Sequence, residues 1–115
     1  MNKKITFHNM QHSQPLEDHT NEKLEKIINL LEDETQKPPF SIEIWLKANS
    51  LHPHHAAELH VKTKTLNLNA HDEGTDMYVV IDNTIDKMVK LIKKDKEKSR
   101  DQRRNTGSDK QNFNR

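Results

Sequence analysis

Apolar and polar residues alternate in four short segments, and this period of two indicates half-buried β-strands. The clearest alternation covers residues 40–48, and a shorter one covers residues 3–8. Two more cover residues 57–63 and 66–71, with only two residues between them. Because so short a break suits a hairpin, we expect the last two strands to be antiparallel.

Two longer segments repeat apolar residues every three or four positions, which is typical of amphipathic helices. The first helix is predicted over residues 14–32, with Ser13 as its N-cap. The second is predicted from Met77 to about Lys98. The apolar stripes that define the two helices are Leu16, Thr20, Leu24, Ile27, Ile28 and Leu31, then Met77, Ile81, Thr84, Ile85, Met88 and Ile92.

The segments between these elements have the composition of connections. Residues 49–55 are predicted to form a loop that contains a proline. Residues 72–75 are predicted to form a turn in which Gly74 can take a positive φ. Thr75 or Asp76 can then cap the second helix.

The predicted element order is β-α-β-β-β-α. Each strand has one apolar face and each helix one apolar stripe, so the simplest packing places both helices on one face of a four-stranded mixed sheet. The first two strands, joined through a helix, should be parallel with a right-handed crossover, and the other pairs antiparallel. We predict an α+β domain over residues 1–98 and a disordered, basic C-terminal tail over residues 99–115.

The composition excludes several classes of function. The chain has 115 residues, no cysteine and two glycines, which excludes disulfides, thiolate metal centres, cysteine nucleophiles and Gly-rich phosphate loops. No apolar run reaches the ~18 residues of a membrane helix, and the N-terminus lacks the apolar core of a signal peptide. No nucleophile-elbow sequence is present. We therefore expect a cytoplasmic protein that is not an enzyme, with no cofactor and no membrane partner.

Charge is distributed unevenly along the chain, although the net charge is only +1. Residues 1–86 carry a net charge of −6, whereas residues 87–115 carry +7. A basic end on an otherwise acidic chain indicates an anionic partner such as nucleic acid, acidic lipid or acidic protein. The alternative interpretation is a tail that only keeps the protein soluble.

Lysines concentrate positive charge on one edge of the predicted second helix. At 100° per residue, an arc of about 80° beside the apolar stripe contains Lys87, Lys90, Lys94 and Lys98. Lys23 and Lys26 flank the stripe of the first helix and would join this ridge if the helices lie side by side. Such a ridge can follow a phosphate backbone and release its counterions. A solvated helix face is the other interpretation.

Aromatic and imidazole side chains are further candidates for binding. Trp45 is predicted on the polar face of the sheet, where it could stack on a base or pair with its cross-strand neighbours. A histidine cluster comprises His52, His54 and His55, with His60 nearby. Their spacing lacks the geometry of known zinc motifs, so we expect no functional metal. Protonation of these imidazoles at low pH would favour anion binding.

One continuous stretch resembles the signature of a known family. Residues 72–82 read Asp-Glu-Gly-Thr-Asp-Met-Tyr-Val-Val-Ile-Asp, and residues 84–88 read Thr-Ile-Asp-Lys-Met. This is similar to the Glu-Gly-x-Asp-Met-Tyr motif of the bacterial ribosome hibernation factors: the short hibernation promoting factor and the ribosome-associated inhibitor, also called protein Y. Residues 58–61 resemble the third strand of that family. The resemblance covers roughly residues 3–98.

The resemblance implies both the β-α-β-β-β-α fold and a function. Members of that family bind in the decoding channel of the small ribosomal subunit, overlap the paths of messenger and transfer RNA, and inhibit translation in stationary phase or stress. The implied partners are the small subunit with its 16S ribosomal RNA, and the whole ribosome; we expect a monomer. Basic helix positions of the family match the RNA-binding candidates Lys23, Lys26, Lys87, Lys90, Lys94, Lys96 and Lys98.

Other interpretations stay open at this point. A general double-stranded RNA-binding module would recognise A-form shape, but such modules begin with a helix, whereas this chain begins with a strand. An adaptor that binds a protein through the polar sheet face is a third hypothesis. Within the resembled family, a form that pairs ribosomes and a tailed form that opposes pairing both fit the sequence.

Overall fold

The computed structural model describes residues 2–49 and 53–105, with side chains described as far as Lys98. Its elements follow the predicted order, with one added turn of 3-10 helix at Glu32–Glu34. The strands are β1 (Asn2–His8), β2 (Ser41–Ala48), β3 (His55–Lys62) and β4 (Asn67–Gly74), and the helices are α1 (Gln14–Leu30) and α2 (Met77–Asn105). In the part of the chain that is described, no helix is both long and apolar enough to cross a membrane.

The four strands form one mixed sheet in the order β1-β2-β3-β4. β1 pairs with β2 in parallel, and the other two pairs are antiparallel, as predicted. The register places Ile5 beside Ile44, Ile44 beside Leu59, and Leu59 beside Ala70. Because such rows share one side of the sheet, the apolar residues of all four strands form a continuous face. The predicted fold class is therefore confirmed.

The core lies between this apolar face and the two helices. The predicted stripe of α2 is buried along its whole length, and Val80 joins it. In α1 the stripe is buried except for Ile28, which is only partly covered. α2 packs on β3 and β4 and against α1. One layer of apolar side chains therefore holds the sheet and both helices together.

Both helices begin at residues predicted as N-caps. Leu16 N donates to Ser13 Oγ at 3.4 Å at the start of α1. Tyr78 N donates to Asp76 Oδ1 at 2.9 Å at the start of α2. Each cap satisfies an N–H group that the helix itself leaves unpaired.

The turn predicted at residues 72–75 is wrong, because β4 continues to Gly74. Asp72, Glu73 and Gly74 pair with residues 55–57 of β3, and Gly74 has no positive φ. Strand pairing has here overridden the turn preference of Asp and Gly. The missing side chain of Gly74 serves packing instead, since a Cβ at that position would lie 3.2 Å from Val80 Cγ2.

The predicted helix ends differ as well. α1 ends at Leu30 and passes into the 3-10 turn, close to the predicted residue 32. The end predicted for the second helix near Lys98 is wrong, because α2 continues to Asn105 and so includes residues 99–105 of the predicted tail. No Pro or Gly occurs there before Gly107, and Arg and Gln favour helix even without an apolar stripe. The remainder of that tail, residues 106–115, lies outside the described residues, as do residues 50–52 of the predicted loop.

Candidate nucleic-acid interface

One group of predicted lysines lies on the side of α2 that faces the edge strand β4. Lys87, Lys90 and Lys94 border a groove whose other side is β4. Lys98 follows Lys94 by four positions, so it continues the same side of the helix. We call Lys87, Lys90, Lys94 and Lys98 the β4-side lysines. The lysine arc predicted from helical spacing is present, and it runs beside the sheet edge.

Lys87 is held by β4. Its Nζ donates to His71 O and to Asp72 Oδ1, each at 2.9 Å. Asn83 Nδ2 donates to Asp72 Oδ2 at 3.1 Å. The hydrogen bond from Lys87, helped by that from Asn83, holds the pKa of Asp72 below its ordinary value of 3.8 although partial burial opposes the shift. Lys87 therefore fastens α2 to β4, and part of its charge is already neutralised.

Lys90 and Lys94 have different surroundings. Both side chains are exposed. Neither ammonium group has an ion-pair or hydrogen-bond partner among the residues that the structure describes. Their charge is therefore fully available to an anionic ligand.

Lys96 lies on the opposite side of α2, toward α1. Its Nζ donates to Leu30 O, the carbonyl of the last residue of α1. A cation at a helix C-terminus satisfies a free carbonyl and complements the helix dipole. Lys96 is partly buried in this position. It therefore links the two helices, and its ammonium group is already engaged.

Lys23 and Lys26 lie on the flank of α1 nearest α2. They follow His19 by four and seven positions, so they share its flank of α1. His19 Nε2 lies 2.7 Å from Asp82 Oδ1 of α2, which fixes that flank against α2. We call Lys23, Lys26 and Lys96 the α1-side lysines. The helices do lie side by side, but the α1-side and β4-side lysines lie on opposite flanks of α2 instead of forming one ridge.

Sequence reasoning missed two neighbours of these lysines. Lys93 is exposed on α2 outside the predicted arc, and no partner for it is found in the described part of the chain. Leu91 is 37% exposed and lies beside the β4-side lysines. Leu91 could have been identified from the sequence, because it is an apolar residue that lies outside the buried stripe and between Lys90 and Lys94 in the sequence.

The polar face of the sheet carries no covering helix in the described structure. Trp45 is half-buried in a cross-strand row with Thr6, Glu58 and His71. Lys47 Nζ forms an ion pair with Glu58 across β2 and β3. Trp45 thus has the neighbours that the cross-strand pairing interpretation requires.

The members of the histidine cluster have different surroundings. His54 Nε2 lies 2.7 Å from Glu73 Oε1, and this hydrogen bond holds the pKa of Glu73 below its ordinary value. His55 Nδ1 is buried without a hydrogen-bond partner, and His52 lies outside the described residues. Over residues 2–49 and 53–105 there is no group of three or more His, Asp or Glu side chains arranged to hold a metal ion.

Comparison with known proteins adds a family and a fold. A family model described as "Sigma 54 modulation protein / S30EA ribosomal protein" matches residues 4–100. The Protein Y N-terminal domain of Thermus thermophilus superposes with a TM-score of 0.66 at 20% identity, over 82% of this chain and 98% of that one. A ribosomal subunit interface protein from Coxiella burnetii superposes with a TM-score of 0.67 at 24% identity, over 84% and 99%. No curated protein matches significantly.

Proposed function

Because the chain belongs to the Sigma 54 modulation protein / S30EA ribosomal protein family, we propose that it is a ribosome-associated factor of the hibernation type. The family match over residues 4–100 covers α1, β2, β3 and β4 completely and most of β1 and α2, and it is the observation that carries the proposal. The signature-like residues 72–88 support it. So do the names of the structural neighbours, one of which is a ribosomal subunit interface protein.

The proposed mechanism is steric occlusion. The protein would bind the small subunit in the decoding channel, contact 16S ribosomal RNA and occupy the paths of messenger and transfer RNA. No bond is made or broken in such an activity, so it needs neither a catalytic residue nor a cofactor. We propose that a monomer acts in this way in the cytoplasm, in stationary phase or under stress.

The β4-side lysines are proposed to contribute unequally to RNA binding. Lys90, Lys94 and Lys98 are the principal contacts, because they are exposed and have no partner in the described structure. From Lys87 to Lys98 the β4-side lysines extend about 16 Å along the helix, long enough to meet successive phosphates. Lys87 contributes less because Asp72 shares its charge.

The α1-side lysines form a second proposed contact. Lys23 and Lys26 would meet a separate segment of RNA across α2. Lys96 would contribute less, because its Nζ is held by Leu30 O. A general double-stranded RNA-binding module is not favoured, since the fold begins with β1 and the chain matches a ribosome-related family.

Co-sedimentation on a sucrose gradient tests the proposal. The full chain is mixed with purified ribosomes or separated subunits at low and moderate salt. We expect it to travel with the small subunit and the whole ribosome, and to be partly released at moderate salt because several phosphates are neutralised together. Protein that stays at the top of the gradient at both salts would contradict the proposal. The same gradient shows whether paired ribosomes accumulate or disappear.

A charge-reversal pair separates specific contact from general attraction. Lys90→Glu with Lys94→Glu should leave the protein at the top of the gradient with an unchanged thermal melting curve, since both side chains are exposed and neither has a partner within residues 2–49 and 53–105. The control is Lys62→Glu with Lys64→Glu, which changes the charge equally on exposed residues at the end of β3 and in the β3–β4 connection. This control should sediment like the wild-type protein. Equal loss of binding in both pairs would show that only net charge matters.

A further inference from the structure

A groove lies between α2 and the edge strand β4. Its volume is about 400 Å³ and its surface is mainly apolar. Leu91 of α2 and Ala70 of β4 supply apolar surface, and Leu91 is 37% exposed although it is a large aliphatic residue. Lys90 and Lys94 stand along the α2 side of the groove. Neither lysine has a partner among the described residues. An apolar surface bordered by two such cations is suited to an anionic ligand that also has a flat, apolar part.

The β4 side of the groove offers main-chain hydrogen-bonding groups. β4 lies at the edge of the sheet, and His71 O faces outward because it accepts a hydrogen bond from Lys87 Nζ. Main-chain groups of an antiparallel strand point alternately to the partner strand and away from it. The N–H and C=O of Asn69, two residues earlier, therefore also face outward, on the side where the described chain places no strand beside β4. A donor and an acceptor are thus presented side by side next to the apolar surface.

We propose that this groove binds one unstacked nucleobase of single-stranded or looped RNA. The base would lie against Leu91 and Ala70, the main chain of Asn69 would hydrogen-bond to its edge, and Lys90 and Lys94 would meet the flanking phosphates. Proteins that bind RNA loops use this combination of base contact, edge hydrogen bonds and phosphate contacts. The inference rests on the proposed function and specifies how the β4-side lysines engage RNA.

An acidic peptide added to β4 as a further strand is the competing occupant. Such a strand needs several successive main-chain groups along the edge. Lys87 Nζ already occupies His71 O and lies across the edge at that point. An added strand could then pair only with the short parts of β4 on either side of His71, whereas a single base needs only the groups of Asn69. The obstructed edge therefore favours the nucleobase.

Photocrosslinking from the groove tests the occupant directly. The full chain with Leu91 replaced by photoreactive benzoylphenylalanine is irradiated in complex with purified small subunits. We expect a crosslink to ribosomal RNA. The control carries the same replacement at Val79, which is 50% exposed elsewhere on α2 and should crosslink to RNA far less. A crosslink from position 91 only to a ribosomal protein would overturn the proposal and assign the groove to a peptide.

Affinity measurements separate the apolar contact from the ionic ones. Leu91→Gln should weaken binding to small subunits about fivefold to tenfold while the salt dependence stays unchanged, because no phosphate contact is lost. Lys90→Gln should weaken binding and also lower the slope against salt by about one. Val79→Gln should bind like the wild-type protein. Wild-type affinity in Leu91→Gln beside weak binding in Lys90→Gln would overturn this inference and leave the proposed function standing. A wild-type chain that binds no subunit would overturn both.

Discussion

At the scale of single residues, the ammonium groups of α2 have different surroundings. Lys87 Nζ donates to two oxygen atoms of β4, whereas Lys90 and Lys94 have no partner among the described residues. A Lys87→Glu substitution would place a second carboxylate beside Asp72. Loss of binding in that variant would then report on the fold as well as on RNA contact. Variants of Lys90 and Lys94 are therefore the clearer test of binding.

We predict a small, pH-dependent cost for removing the carboxylate of Asp72. Asp72→Asn should lower the free energy of unfolding by about 0.5 kcal/mol at neutral pH, a modest value because the side chain of Lys87 is 53% exposed. The pKa of Asp72 is lowered from 3.8 in the folded protein. The stabilisation is therefore fully present above that unfolded value and is lost as pH falls through the lower folded pKa.

Urea unfolding of both proteins at neutral pH and near pH 3 measures this cost. The difference between wild type and Asp72→Asn should shrink at the acidic pH. Asp86→Asn is the control, since Asp86 is exposed on α2 and has no partner in the described structure. A deficit of equal size at both pH values would mean that the ion pair is not its cause.

At the scale of elements, we predict that the two N-caps differ in strength. Asp76→Ala should lower the free energy of unfolding by about 1 kcal/mol, because it removes a hydrogen bond and a negative charge at the start of α2. Ser13→Ala should cost less, since its hydrogen bond is 3.4 Å long and that of Asp76 is 2.9 Å. Chemical denaturation compares the two variants. A greater loss in Ser13→Ala would contradict this ranking.

The C-terminal end of α2 yields a further prediction. Beyond Ile92, no buried side chain is described. A chain that ends at Lys98 should therefore keep its free energy of unfolding within about 0.5 kcal/mol of the full chain. It should bind ribosomes more weakly, because the removed residues 99–115 carry a net charge of +3.

Unfolding in urea tests the predicted stability of the shortened chain, and co-sedimentation tests its predicted weaker binding to ribosomes. A second truncation that ends at Asn105 keeps the helical residues and removes the rest of the predicted tail. A loss of more than about 1 kcal/mol in the shorter chain alone would show that residues 99–105 support the fold. The predicted domain boundary at residue 98 would then exclude residues that the fold needs.

The elements were predictable where one local pattern determines them. Alternation in residues 40–48 reflects burial of one strand face, and Ser13 caps a helix through its own neighbours. The end of β4 was not predictable in this way, because Asp72 to Gly74 pair with a strand that the local sequence does not reveal. The lysine arc followed from helical spacing alone. Its separation from Lys23 and Lys26 depends on where α1 and β4 lie, which spacing along one helix does not contain.

At the scale of the whole molecule, all elements share one core. Ile44 is fully buried in the centre of the sheet, whereas Ile28 of α1 is only partly covered. We predict that Ile44→Ala lowers the free energy of unfolding by about 3 kcal/mol, a large part of the total for a domain of this size. Ile28→Ala should cost clearly less, because less surface returns to water.

Two optical signals measure the unfolding of both variants. Trp45 is the only tryptophan of the chain, so its fluorescence reports on the sheet, while far-UV circular dichroism is dominated by the helices. With a single core, the two transitions should coincide. Separate transitions would show that the helices and the sheet unfold independently.

The position of β1 has a consequence for the order of folding. β2, β3, β4 and α2 follow one another along the chain and contact their sequence neighbours, so they can assemble through short loops. Among the described strands, β1 pairs only with β2, in parallel, and α1 must first cross the sheet to bring them together. The inward residues of β1, Ile5 and Phe7, are only partly buried. We therefore expect the first strand of the chain to pair last during folding and to open first, and its amide hydrogens should exchange with solvent sooner than those of β3.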